Sequence, residues 1–190
     1  MKKNSYSFSQ KIIQKYVDIN LRMKETFFRI SDKNSYGRSS IQVDPIKEID
    51  SLTMLNEDTI LLKENSFKVN KGTKWLDVIP YESSMNFLIS KRLKTALVNE
   101  NVSGVVFFPT TIINHPEKEY YGLIINSLAG PILNLEKLNN YEDEHIDFDF
   151  STWKKTDFFT LTDTLIFGIT ERIKSLLEKG KYSNIEIERL

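Results

Sequence analysis

The chain is 190 residues long and carries 26 Lys and Arg against 26 Asp and Glu, so no net field draws it toward nucleic acid or an anionic membrane. Its 40% hydrophobic and 12% aromatic residues supply a core, and a chain of this length buries roughly 70% of its unfolded surface without disulfides or metals. It contains no cysteine, which excludes disulfides, thiolate metal sites and a Cys nucleophile, and fits a reducing interior.

Met1-Lys2-Lys3 is followed by the polar stretch Asn4 to Gln14, not by the apolar segment of a signal peptide. No window approaches the about 18 consecutive apolar residues of a membrane span, so the expected location is cytoplasmic. Ile12, Ile13, Tyr16 and Val17 are spaced for a short helix, although the same run also alternates like a strand. Thr26 to Ile30 is strand-like in its aromatic and β-branched content, and Ser31 to Ser40 reads as a loop. Asp44-Pro45 ends the element that Ile41 begins. Thr59 to Leu62 and Phe67 to Val69 are apolar runs around Lys63-Glu64-Asn65, the pattern of a hairpin, and Asn70-Lys71-Gly72 is a turn. Trp75, Leu76, Val78 and Ile79 lead through Pro80 to Phe87.

From Phe87 to Pro109 the chain reads FLISKRLKTALVNENVSGVVFFP, and eighty positions later Phe167 to Arg189 reads FGITERIKSLLEKGKYSNIEIER. Phe87 returns as Phe167, Ile89 as Ile169, Ser90 as Thr170, Arg92 as Arg172, Lys94 as Lys174, Leu97 as Leu177 and Ser103 as Ser183, and the match reaches back to Asp77 and Asp157. This is an internal repeat. Each copy predicts a helix and then a strand. Ser90 or Thr170 is placed to cap, Ile89, Leu93, Ala96 and Leu97 form one apolar stripe, and so do Ile169, Ile173, Leu176 and Leu177. Gly180 is expected to stop the second helix with a positive φ. Val105 to Phe108 is apolar on both faces, whereas Ile185 to Glu188 alternates, so the first copy is expected to be central and the second peripheral.

Between the copies, Thr110 to Ile113 continues as a strand, His115-Pro116-Glu117 is a turn, and Tyr120 to Asn126 is another strand. Gly130-Pro131 breaks the chain, and Ile132 to Leu135 alternates. The acidic run Tyr141 to Phe150 reads as a solvated loop or as an edge strand whose charges discourage pairing with other chains. No Pro/Ser/Gly linker separates the copies. The expected fold is therefore a single α+β domain over 1–190, with a mixed or antiparallel sheet and two helix-strand units at about 77–109 and 157–189.

The segment MNFLISKRLKTALVNENVSGVVFFPTTI resembles the part of the immunity protein 11 family of bacterial polymorphic toxin systems in which a Ser begins a helix, a small-residue turn ends it and a hydrophobic strand finishes in Pro. YYGLIINSLAGPILNLEKLNN resembles the family's tyrosine-led strand, loop and "LEK" segment, and Trp153 to Ile185 resembles its closing helix and strand. The resemblance covers 74–190; residues 1–73 match nothing recognised. Asn134 stands where the family pattern has Asp, and Asn184 stands where the first copy has Gly104, a change that Asn's tolerance of positive φ permits. The resemblance implies a small cytoplasmic protein that binds and neutralises a cognate toxin domain, and it implies no reaction.

His115 and His145 are the only histidines. His145 stands among Glu142, Asp143, Glu144 and Asp147, but hard-ion sites use a Gly-shaped ligand loop and zinc sites use two or more His or Cys at fixed spacing. No metal or cofactor is expected there; a solvated acidic segment is. The same run is a candidate electronegative face for a basic partner. Trp75 and Trp153 each precede a copy, and indoles serve both interfaces and cores. The candidate partner-binding residues are thus Trp75, Trp153, Glu142, Asp143, Glu144 and Asp147.

Asp77 and Asp157 recur at matched positions. Paired carboxylates can do acid-base work, yet nothing in the chain resembles a nucleophile with its base, so a turn or cap role is expected. Arg92/Lys94 and Arg172/Lys174 read as the wet face of each helix, and Ser103-Gly104 as a turn rather than a phosphate cradle. The leading expectation is a non-catalytic binding protein of the immunity type, with neither nucleic acid nor membrane as partner and with monomer and homodimer both open. The alternative is a small self-associating regulatory or scaffold module, and an enzyme using the repeated Asp pair ranks last.

Overall fold

A computed structural model describes residues 26–33, 39–46, 66–81, 86–140 and 145–190. Within each copy the local sequence dictates the same succession of elements. In the first, strands β4 (Val78–Tyr81) and β5 (Asn86–Ser90) form an antiparallel hairpin, helix α1 (Lys91–Asn99) follows, and strand β6 (Val105–Pro109) returns. In the second, β10 (Phe158–Leu161) and β11 (Phe167–Thr170) form the hairpin, α3 (Glu171–Gly180) follows, and β12 (Glu186–Arg189) returns.

In both copies a foreign strand enters between the hairpin and the returning strand. β8 (Tyr120–Ile125) lies antiparallel between β5 and β6, giving the order β4-β5-β8-β6. β1 (Phe27–Ser31) lies antiparallel between β11 and β12, giving β12-β1-β11-β10-β9, with β9 (Leu128–Ala129) parallel to β10. Each unit is therefore a split β-α-β arrangement with its helix on one face. β8 follows β6 through residues 110–119. β12 and β1 pair as a hairpin would, with Leu190 N donating to Phe27 O at 3.0 Å, although they lie at opposite ends of the described chain. A third sheet consists of β2 (Gln42–Pro45), β3 (Ser66–Lys71) and β7 (Thr111–Ile112).

The apolar stripes of both helices meet in one central core. Leu93 and Leu97 from α1 and Ile173 and Leu177 from α3 pack with Val78, Ile89, Phe158 and Ile169. The equivalent rings Phe87 and Phe167 touch edge-to-face, their centroids 5.8 Å apart. The two copies thus share one core about an approximate two-fold axis. Strand alternation sends the intervening residues to outer cores. Ile79, Tyr81, Leu88 and Tyr120 pack on Ile41, Val43, Phe67 and Ile112 of the third sheet. Phe27, Phe159, Leu161 and Ala129 are covered by Phe148, with Ile132, Phe150 and Trp153 around them. These positions alternate with the central-core set along each strand, as a sheet buried on both faces requires.

Several expectations are met locally. The strand at Thr26 to Ile30 is β1, β2 ends at Pro45, β7 and β8 fall in the predicted runs, and Gly72 takes φ +89°, although Asn70 and Lys71, expected in the same turn, belong to β3. Ser90 Oγ caps α1 by accepting from Leu93 N at 3.2 Å. Asn184 (φ +65°) takes the conformation of its counterpart Gly104 (φ +83°), as its tolerance of that region allows.

Others are corrected. Among the described residues β6 and β12 are both edge strands of their sheets, so the first copy is not central and the second peripheral. β6 is apolar on two faces because Val105 and Phe107 join the central core while Phe108 buries over Gly122, but its hydrogen-bonding edge is a separate matter that hydropathy does not report. Lys181 (φ +49°), not Gly180, takes the left-handed position after α3. A Cβ on Gly180 would meet the Tyr182 ring at 2.1 Å, so the glycine serves close packing. Phe67 to Val69 lies in β3 and pairs with β2, while Thr59 to Leu62, its expected hairpin partner, and the expected helix at Ile12 to Val17 lie outside the described residues. Leu135 starts a short helix, α2 (Leu135–Asn139), and Ile132 bridges to Phe148, so the acidic run's described end covers a sheet face. Among the described residues no helix is long and apolar enough to cross a membrane.

Candidate functional site

The recurring polar residues converge in two matched clusters where each copy meets the other. Asp77 precedes β4, and its Oδ1 accepts from Ser90 Oγ at 2.7 Å, at the start of α1 in the same copy. Arg92, in the first turn of α1, grips the carboxylate through Nη2 at 2.7 Å and Nε at 3.3 Å. The other side of the cluster comes from the second copy. Ser183, in the turn after α3, donates to Asp77 Oδ2 from its backbone N at 2.8 Å and from Oγ at 2.9 Å, and Ser183 Oγ accepts from Asp77 N at 2.8 Å. Arg92 Nη1 then reaches Gly180 O at 3.1 Å.

Asp157 repeats this arrangement in reverse. It accepts from Arg172 and Thr170 of its own copy, and from Ser103 N at 2.9 Å and Ser103 Oγ at 2.8 Å of the first copy. Arg172 Nη1 reaches Glu100 O at 3.0 Å, the counterpart of Gly180 O. Thr170 Oγ1 turns to Asp157 at 3.4 Å and makes no cap bond to α3. The arrangement is a pair of reciprocal clamps, each fastening one copy's helix start to the other copy's helix-strand turn.

The electrostatics follow from burial and donors. Asp77 and Asp157 are 13% and 14% exposed. Burial alone raises a carboxyl pKa, but the bonds from Arg92, Ser183 and Ser90 outweigh it and hold Asp77 at about 2. Asp157 is lowered too: its burial opposes the shift, and the bonds from Arg172 and Ser103 prevail. Arg92 and Arg172 are raised by their bonds to these carboxylates. Beside the first clamp, buried Tyr120 donates to Leu76 O at 2.7 Å, and burial followed by the Asp77 charge raises its phenol pKa.

A carboxylate held at about 2 and saturated with donors is a poor proton acceptor near neutral pH, so the clamp geometry suits fastening and not acid-base chemistry. The turn or cap role expected for the Asp pair falls short of the observed one, which spans the two copies. The wet-face reading of the basic residues holds in that Arg92 and Arg172 stay exposed, but it leaves out their partners. Arg92 and Arg172 are clamp members, while Lys94 and Lys174 lie over the rings of Tyr121 (4.9 Å) and Phe28 (4.3 Å), themselves equivalent positions on β8 and β1. The signal for the clamps was in the sequence: Asp, Ser/Thr, Arg and Ser recur at one offset, although solvated side chains have no need to.

The residues singled out for partner binding are dispersed. Trp75 is half-buried against the second core, its ring 5.2 Å from His115 and 5.6 Å from Tyr120, with Lys118 Nζ 5.4 Å from its centroid. Trp153 packs in the third core, 4.9 Å from the Phe27 ring, and its Nε1 donates to Thr156 O at 3.2 Å. Asp147 is exposed on the ribbon that covers this core, so Trp153 and Asp147 share a flank and Trp75 does not. Glu142, Asp143 and Glu144 lie outside the described residues. Among the described residues, no three His, Asp or Glu gather as metal ligands. A small, partly open apolar cavity of about 30 Å³ lies in the central core between residues including Phe87, Leu93, Phe158 and Leu177. No protein-family model matches the chain, and no curated protein matches it.

Proposed function

We propose that the protein is a non-catalytic binding protein, an immunity protein that neutralises a cognate bacterial toxin domain in the cytoplasm by direct protein-protein contact. The observation that carries the reading is the fate of the recurring carboxylates. The two groups that a repeat-based enzyme would use are spent on the clamps, so the repeat is explained by the building of a rigid body. The resemblance of residues 74–190 to the immunity protein 11 family supplies the class of partner. A body whose two halves share one core and two clamps keeps its surface fixed, which lowers the ordering cost of a tight complex.

The test is co-expression with a candidate toxin domain drawn from a neighbouring gene, reading host survival and co-purification. Rescue with a stable complex is the expected result; two folded proteins that neither associate nor rescue would overturn the reading. A second reading, self-association, has one observation in its favour. β6 is an apolar edge strand that pairs only with β8 among the described residues. That reading requires size to grow with concentration in the absence of a partner.

A further inference from the structure

β6 and β12 hold equivalent places in the two repeated units, and they treat the sheet edge in opposite ways. β12 carries Glu186, Glu188 and Arg189, whereas β6 reads Val105-Val106-Phe107-Phe108-Pro109 and has no charge. Val106 stands where β12 has Glu186, and Phe108 where it has Glu188. Charge on an open edge keeps a second strand away, and β6 lacks that protection. Its residues Val105, Val106 and Phe107 are only half-buried.

The register fixes which backbone groups of β6 face outward. Asn126 N donates to Gly104 O at 3.1 Å, so Gly104 and Asn126 are a hydrogen-bonded pair. Such pairs alternate along an antiparallel ladder. Val106 and Phe108 therefore bond to Ile124 and Gly122 of β8, and the N–H and C=O of Val105 and Phe107 point away from it. Ser103, the preceding outward position, conforms: its N–H goes to Asp157 and its carbonyl accepts from Phe158 N at 3.1 Å. Among the described residues nothing takes up the outward groups of Val105 or Phe107. The open edge is bounded by Ser103, whose groups are taken, and by Pro109, the next outward position, which has no N–H to give.

We propose that two copies of the chain pair through β6, antiparallel, with Val106 facing Val106 of the second copy across a two-fold axis. An edge whose donors and acceptors stand at two positions, one residue apart, is complementary to itself. In this register Val105 lies opposite Phe107 of the second copy and Phe107 opposite its Val105, and each pair exchanges both hydrogen bonds. The contact is isologous, so it closes as a dimer and does not propagate. A second copy supplies the complement with no further sequence requirement, and it covers the half-buried Val106. The same register on β12 would set Glu186 against Glu186, a like-charge pair directly opposite, which explains why only one of the two equivalent edges serves. The dimer goes beyond the immunity reading and does not depend on it; it rests on the self-association reading, to which it gives a strand, a register and a closed stoichiometry.

The test measures mass against concentration for the full chain by sedimentation velocity, over roughly 1 µM to 1 mM. The comparators are Val106→Glu, which gives β6 the residue that β12 carries at this place, Val106→Lys, and an equimolar mixture of the two. Circular dichroism and urea midpoints check that each variant is folded. The wild type should dimerise, and each variant alone should dimerise about tenfold or more weakly, because like charges then meet at the two-fold. The mixture should recover the dimer, because Glu then faces Lys. A wild type that stays monomeric throughout would overturn the proposal, and so would a dimer that either variant leaves intact. Folded variants that each lose the dimer and do not recover it on mixing would overturn the register and the proposal with it. A monomeric wild type whose complex with a co-expressed toxin domain is lost in both variants would assign the edge to a toxin strand, which overturns the second copy as its occupant. Host survival decides the immunity reading separately: a monomer that protects leaves that reading standing without the dimer, and a dimer that fails to protect leaves the dimer standing without that reading.

Discussion

Replacing Asp77 by Asn should destabilise the protein by an amount set by the clamp, and it should do so with a particular pH dependence. The carboxyl group falls from 3.8 to about 2 on folding. At about 1.4 kcal/mol per pKa unit, this amounts to about 2 kcal/mol of stability near neutral pH. For a chain of this size, 2 kcal/mol lowers Tm by roughly 4–8 °C. The native value is the depressed one, so the contribution is fully present above the unfolded value and is lost as pH falls through the native value. The stability gap between wild type and Asp77→Asn should therefore narrow by about 1 kcal/mol between pH 6 and pH 3. Urea unfolding at several pH values measures this. Ser183→Ala removes a donor to the same carboxylate from the other copy, so the two substitutions should be less than additive, with a coupling of about 1 kcal/mol. A gap independent of pH, or strict additivity with Ser183→Ala, would refute the clamp as the source of the stability. If the proposed immunity function holds, the Asp77→Asn protein should still protect below its Tm, because the Asp77 carboxylate is 13% exposed and its oxygens are taken up by Ser90, Arg92 and Ser183.

Three further outcomes follow from packing and hydrogen bonding. In Gly122→Ala the new Cβ would stand 1.9 Å from the buried Phe108 ring, so displacement of that ring should cost about 1–3 kcal/mol in thermal or urea unfolding. The matched turns should tolerate exchange unequally. Asn184→Gly forfeits one bond to Val78 O and should cost about 1 kcal/mol, whereas Gly104→Asn sets a Cβ 2.1 Å from Phe158 O and should cost distinctly more in the same assay. Tyr120→Phe leaves Leu76 O without its buried donor and should cost about 1–3 kcal/mol, read as a lower urea midpoint at unchanged slope.

The sequence was most informative where structure is written locally. Helix and strand positions in both copies, the Ser90 cap and the Asn184 turn follow from apolar spacing and from residue chemistry within a few positions. It was least informative about what comes from afar. β6 reads as buried because both its faces are covered, but whether a strand is central depends on what lies beside it, and β8 takes the place next to β5. Asp77 reads as a turn or cap residue because it stands just before its copy; Ser183, 106 positions away, completes the clamp and is visible only through the repeat. Leu133 sits in a stretch whose periodicity is short and mixed, so its exposure depends on the third core taking its neighbour Ile132 inward.

The placement of β1 between β11 and β12 has a consequence for the order in which the protein is made. The first unit can close as soon as β8 leaves the ribosome, because all four of its strands lie between residues 78 and 125. β1 is synthesised earlier still, yet both strands that flank it belong to residues 167–189. At about 5–20 residues per second, the interval between them is on the order of ten seconds. For that time the aromatic segment Phe27-Phe28 has neither of its partners, so the nascent chain carries an open template for wrong pairing. A pulse-labelled ribosome-bound series should show the first unit acquiring protease resistance well before β1 does.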